Sequence, residues 1–272
     1  MQRRRAGRMR RVKRLVAASV ATVGVGLAGG TSATVLAATS AGEYIDAVYD
    51  DLLGRPADGS ERPYWEQFLD AGAPRGQVPE KVAASSELNR RIVDMFYEAY
   101  LEREPDVRGA DFFRRQLDGP RTHLSFEMTV FGSSEYYRLT GGTDERFLDA
   151  LYHDLFARDV DAAGKRHWGT MLSRGVERAR VAGDLIRSDE SVERRVSIAF
   201  AAYLRRQPDS RGAALFGAVL RGSDDWTRVW AGMVASNEYL MRAPYPAAAG
   251  VAVDGRPGAG GTDGVETAVT AD

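Results

Sequence analysis

The most constraining feature of this 272-residue chain is a set of residues that recurs four times in one register. Arg55, Arg103, Arg158 and Arg206 stand 48, 55 and 48 residues apart. Three positions after each lies an aspartate (Asp58, Asp106, Asp161, Asp209), and ten after each a large aromatic (Trp65, Phe113, Trp168, Phe216). A leucine follows at the fourteenth position (Leu69, Leu117, Leu172, Leu220), a serine at the thirtieth (Ser85, Ser133, Ser188, Ser236) and a glutamate at the thirty-second (Glu87, Glu135, Glu190, Glu238). Repetition at such a period means that one small unit is built several times and buries its apolar face against its neighbours.

The apolar spacing says what the unit is made of. Ahead of each arginine, apolar residues come in adjacent pairs four apart: Tyr44-Ile45, Val48-Tyr49 and Leu52-Leu53; Ile92-Val93, Phe96-Tyr97 and Tyr100-Leu101; Phe147-Leu148, Leu151-Tyr152 and Leu155-Phe156. The fourth copy is thinner, with Val196, Ala199-Phe200 and Tyr203-Leu204. Such pairs line one face of an amphipathic helix and fit no strand. The arginine closes that helix, where a cation meets the negative end of the dipole. A turn of the form R-x-P-D follows in the second and fourth copies, its proline stopping one helix and its aspartate capping the next. Gly109, Gly164 and Gly212 sit three residues past their aspartates, whereas the first copy has Gly59 directly after Asp58, so its turn must differ. The aromatic and the leucine share a face of the second helix. A third helix carries Val78/Val82, Phe126/Val130, Val181/Leu185 and Val229/Met233, then ends near S-x-E, where serine caps the next helix. The expected fold is all-α: four tandem three-helix repeats of about 48 residues. The longer central spacing suggests two pairs, at 42–140 and 143–242, joined through Thr140-Gly141-Gly142-Thr143.

The string Leu101-Glu102-Arg103-Glu104-Pro105-Asp106-Val107-Arg108-Gly109, with Phe113 and Ser133-Ser134-Glu135-Tyr136, resembles the repeat of domain-of-unknown-function family 4214. Arg158, Asp161, Gly164, Trp168, Ser188 and Glu190 carry the same pattern, as do Arg206, Pro208, Asp209, Gly212, Ser236, Glu238 and Tyr239. The pattern is also similar, more distantly, to the all-helical linker domain of phycobilisomes. The resemblance covers about residues 43–242 and implies an all-helical module of bacterial secreted and surface proteins, with no catalytic residues to carry over. The linker likeness implies scaffolding by protein–protein contact, as an analogy of fold.

The ends of the chain differ from its middle. Residues 1–14 hold eight basic side chains and no acid, and an apolar stretch from Leu15 to about Ala38 follows. Small residues then permit cleavage after Ala37 or Ala41, the layout of a secretory signal peptide over 1–41. Uncleaved, the segment would serve as a membrane anchor. Arg10-Arg11 invites a twin-arginine reading, which Lys13 and Arg14 weaken. Residues 243–272 are rich in Gly, Ala and Pro without helical or strand periodicity, the composition of a disordered tail. The whole chain has 37 basic and 38 acidic residues. Removing 1–41 leaves 29 against 38, a net charge of −9 that disfavours nucleic acid and anionic lipid.

Chemistry-bearing patterns are sparse. The chain has no cysteine, which excludes disulfides, thiol nucleophiles and zinc–thiolate sites. His123, His153 and His167 occupy unequal repeat positions and match no ligand spacing, and no phosphate-cradling or nucleophile-elbow motif occurs. No metal, cofactor or catalytic residue is expected. The recurring arginine and glutamate read as intrarepeat ion pairs, Arg55–Glu87, Arg103–Glu135, Arg158–Glu190 and Arg206–Glu238, and the recurring aromatics as core. Trp226 breaks the register, since its equivalents are Arg75, His123 and Arg178, which makes it the candidate exposed contact residue or else a hydrophobic staple. The expectation is an exported, non-enzymatic repeat protein that binds an extracellular or envelope protein at the cell surface. A glycan- or cell-wall-binding module is the alternative, and a polysaccharide hydrolase a third.

Overall fold

The computed structural model describes residues 40–119 and 122–241. The expected signal segment up to residue 39 and the expected tail over 243–272 therefore lie outside the described residues. Within them the chain is all-α, with no strand. The first unit comprises α1 (Ala41–Leu53), α2 (Glu61–Asp70) and α3 (Gln77–Ala83). The second comprises α4 (Ser86–Tyr100), α5 (Val107–Leu117) and α6 (His123–Gly132), followed by the short α7 (Ser134–Leu139). The third holds α8 (Asp144–Phe156), α9 (Ala162–Ser173) and α10 (Arg178–Ile186). The fourth holds α11 (Asp189–Ala199), which runs on as a π-helical segment (Phe200–Leu204), then α12 (Ser210–Ser223), α13 (Trp226–Val234) and α14 (Asn237–Leu240).

Past the end of the first helix of each unit, the residue just before the signature arginine takes the left-handed conformation. These are Gly54 (φ 69°), Glu102 (φ 58°), Ala157 (φ 55°) and Arg205 (φ 51°). Asp106, Asp161 and Asp209 then cap the second helices, each accepting a hydrogen bond from the backbone N–H of the glycine three residues on, at 2.9, 2.7 and 2.8 Å. In the first unit Asp58 accepts from Ser60 and Glu61 instead, the local difference that Gly59 foreshadows.

The units do not pack as two separate pairs. α6 lies against α10, joining the second unit to the third, and α13 lies against α3, joining the fourth to the first. The α6–α10 crossing is tight because it is lined by small residues: a Cβ on Gly132 would stand 2.5 Å from the Ala179 methyl, and one on Gly183 2.7 Å from Met128 Cε. The Thr140–Thr143 turn, with Gly141 and Gly142 at positive φ, separates α7 from α8 and accounts for the longer spacing, but the core runs straight across it. Equivalent contacts recur at an offset of 103 residues. Tyr136 Oη donates to Asp154 at 2.9 Å where the second unit meets the third, and Tyr239 Oη donates to Asp51 at 2.7 Å where the fourth closes on the first. The chain is thus a duplicated half whose two copies meet along both seams.

Candidate functional site: an ion pair between the halves

Every signature arginine meets the glutamate 32 residues on through a two-pronged contact. The Nε–Oε1 distances are 2.7 Å for Arg55–Glu87 and 2.6 Å for both Arg103–Glu135 and Arg158–Glu190; Arg206 Nη2 lies 2.8 Å from Glu238 Oε2. The guanidinium also lies over an aromatic ring from its own first helix: Tyr49 at 5.3 Å, Tyr97 at 4.8 Å, Tyr152 at 5.1 Å and Phe200 at 4.8 Å. Its Nη1 donates to the carbonyl of the following residue. Glu61 joins the cluster in the first unit, 2.7 Å from Arg55. These half-exposed arginines are clamps that tie the end of one helix to the start of another. Trp65 and Phe113 are buried, and Trp168 and Phe216 half-buried against the same core; the Trp65 and Trp168 indoles donate to the hydroxyls of Tyr49 and Tyr152 at 2.8 and 3.0 Å.

Trp226 is not an exposed contact residue. It is buried, its indole N–H donates to Glu127 Oε1 at 2.6 Å, and its ring packs on His123 at 4.8 Å and on Trp230 at 4.3 Å. The reason lies in the duplication. His123 and Trp226 are equivalent residues, each opening the third helix of its half's second unit, and the two helix starts meet face to face. Leu124 N–H donates to the Asp224 carbonyl across the same seam.

Glu127 is fully buried, and Arg195 of α11 grips it from the other half, with Nη1 2.9 Å from Oε1 and Nη2 2.5 Å from Oε2. Arg195 Nε donates to Ser191 at 3.2 Å. Burial works against the Arg195 charge, but Glu127 more than restores it and keeps the guanidinium pKa above its ordinary value. Beside the pair, His123 Nδ1 lies 2.8 Å from Asp225, whose carboxylate also accepts from Thr227 N–H and Oγ1. Burial raises the Asp225 carboxyl, and the bonds from His123 and Thr227 outweigh it, holding the group below the usual carboxylate range. His123 Nε2 is buried with no hydrogen-bond partner among the described residues.

Neither Glu127 nor Arg195 stands out by motif, yet the register flags both. The equivalents of Glu127 are Pro79, Ala182 and Trp230, and those of Arg195 are Tyr44, Ile92 and Phe147, every one apolar and buried. The thin apolar pattern of the fourth copy is the trace of Arg195 standing where a pair should begin. Exchanging two apolar core positions for a charge pair gains little stability over a well-packed apolar pair. Glu127 and Arg195 both line two cavities, of about 250 Å³ and about 110 Å³.

Among the described residues no group of three or more histidines and acids could hold a metal ion, and no helix is long and apolar enough to cross a membrane. Neither a curated protein nor a solved structure matches the chain. Residues 31–92 and 127–195 match a family model described as a domain of unknown function, DUF4214. The first stretch carries the clamp Arg55–Glu87 with Asp58 and Trp65, the second the clamp Arg158–Glu190 with Asp161 and Trp168. The two stretches hold equivalent parts of the two halves, and by that match the chain carries DUF4214 repeats.

Proposed function

We propose that this chain is an exported, non-catalytic interaction module that binds a protein partner at or outside the cell surface. One observation carries the reading. Tyr64 (59% exposed), Phe112 (47%) and Leu215 (58%) are large apolar side chains facing solvent, and all three sit nine residues after a signature arginine. The third unit has His167 there. An apolar residue at one outward register position on the second helix of three units is surplus to the core, and it is this recurrence, rather than exposure alone, that supports a contact role. Each lies on a different helix, so they offer separate apolar points of contact and not one aromatic-lined groove of the kind a glycan chain needs.

The basic, apolar and small-residue order of the first 41 residues supports export. The test is capture from an envelope extract by the leaderless chain and by its Tyr64→Ser/Phe112→Ser/Leu215→Ser variant, with a glycan array run in parallel. The expected result is a protein retained by the parent chain and lost by the variant, which keeps its helicity. Polysaccharide bound by both and protein by neither overturns the proposal.

A further inference from the structure

The duplication gives the 250 Å³ cavity an internal comparison. It lies among α6, α10, α11, α12 and the start of α13, with Arg187, Arg195 and Arg221 in its wall. Its counterpart, 103 residues away in register, is a broader opening lined by Ala84, Leu117, Asp118 and His123. Ala84 stands for Arg187, Ile92 for Arg195, Asp118 for Arg221, and His123 for Trp226. The fold therefore does not need these arginines: one half builds the same corner without any of them. Three guanidiniums face the carboxylates of Glu127 and Asp224 in the first cavity, whereas Glu80, Asp118 and Asp225 line the second with Arg228. The two equivalent openings differ in kind: the first has three guanidiniums, each paired with a carboxylate (Glu127, Asp224 and Asp189), and the second three carboxylates with one guanidinium.

Apolar side chains and partly engaged arginines coexist in the first. Leu124, Ile186, Val192, Leu220 and Trp226 are its apolar lining. Arg187 binds Asp224 at 2.8 Å and Arg221 binds Asp189 at 2.6 Å, both pairs near the surface, and these bonds use only part of the five N–H donors each guanidinium has. Arg195 likewise spends one N–H of each terminal nitrogen on Glu127. Few, converging polar groups beside an apolar lining are the makings of a small-molecule site.

We propose that this cavity binds a small organic anion with an apolar body, of the class of medium-chain carboxylates, the carboxylate meeting the arginines and the chain lying against Leu220 and Trp226. This site is independent of the protein-binding surface proposed above.

The test is titration calorimetry of the leaderless full chain with octanoate below its micellar concentration, with 1-octanol and octylamine as isosteres of other charge. Octanoate should bind at least tenfold more tightly than either. Arg187→Ala and Arg221→Ala, which remove side chains that are about half exposed, should each weaken it at least threefold while leaving the circular dichroism unchanged. Asp118→Ala, in the equivalent opening, should leave it unaltered. Octanoate should quench tryptophan emission, and Trp226→Phe should remove most of that quenching. Equal binding of the alcohol, undiminished binding in both arginine variants, or no octanoate binding overturns the proposal.

Discussion

The guanidinium of each signature arginine has three engagements at once: a two-pronged bond to glutamate, a face on an aromatic ring, and an N–H to the next carbonyl. Only a planar fork does this, so lysine cannot substitute. The pairs are partly open to water, which limits their worth. Arg103→Lys should lower stability by about 1 kcal/mol in denaturant unfolding, near the upper end for exposed pairs. The Arg103 guanidinium beside it holds the Glu135 carboxyl below the usual carboxylate range, and Arg55 and Arg158 do the same to Glu87 and Glu190. A carboxyl with a lower pKa folded than unfolded contributes stability that is complete above the unfolded value, near 4.3, and is lost as pH falls through the folded value. Unfolding measured from pH 7 to pH 3 should show the parent losing stability on acidification, with Glu135→Gln losing less because its share is already gone. A parallel pH dependence in both would remove the clamp from the account. Ala157 sits at φ 55°, where a Cβ is strained. Ala157→Gly should raise stability by roughly 0.5–1 kcal/mol, the strain relieved exceeding the added chain entropy.

Helix ends, more than helix middles, explain how the elements connect. Ser85, Ser188 and Ser236 each donate a hydroxyl proton to a carbonyl of the helix they close, at 2.7, 2.7 and 2.6 Å, and accept an N–H from the helix they open. One residue thereby serves both termini, and Ser188→Ala should cost about 1 kcal/mol. A capping box opens α1: Ser40 Oγ accepts from Glu43 N–H at 3.2 Å, and the Glu43 carboxylate accepts from Ser40 N–H at 2.9 Å. Under the proposed export, cleavage after Ala37 would leave this box intact, whereas cleavage after Ala41 would remove its serine. On that proposal, N-terminal sequencing of protein recovered from the medium or envelope should begin at Ala38, and a start at Gly42 would contradict this.

At the scale of the molecule, the two halves repeat one arrangement of helices and meet along equivalent seams, and the Glu127–Arg195 pair breaks that equivalence. Glu127→Leu leaves the Arg195 guanidinium, whose side chain is 24% exposed, without its carboxylate and should cost about 3 kcal/mol, the low end for a buried pair. The double substitution Glu127→Leu/Arg195→Leu strands nothing, and its melting temperature should return close to that of the parent, since apolar replacement of a whole buried pair is often neutral. Additive losses in the double variant would show that the two side chains do not act as a pair.

The unit, its three helices and its clamps are all legible in the register of the sequence, because caps, ion pairs and apolar faces within a unit join residues at fixed short offsets. The first copy's altered turn is legible for the same reason, whereas the contact of Glu61 with Arg55 emerges only from the structure. Trp226 stands out by its broken register, but the register leaves an exposed contact and a helix-start staple equally open, since periodicity reports a residue's departure from pattern and not what lies opposite; the structure buries it. The union of Glu127, Arg195, Trp226 and His123 depends on α6 and α13 meeting end to end, as the closure of the fourth unit on the first depends on α13 reaching α3. Those meetings join residues 68, 99 and 188 positions apart, as in Arg195–Glu127, Trp226–Glu127 and Tyr239–Asp51. No local offset encodes them. They follow from how four apolar faces can be buried at once, so the repeat belongs to the sequence, and the seam, its ion pair and its cavity belong to the packing.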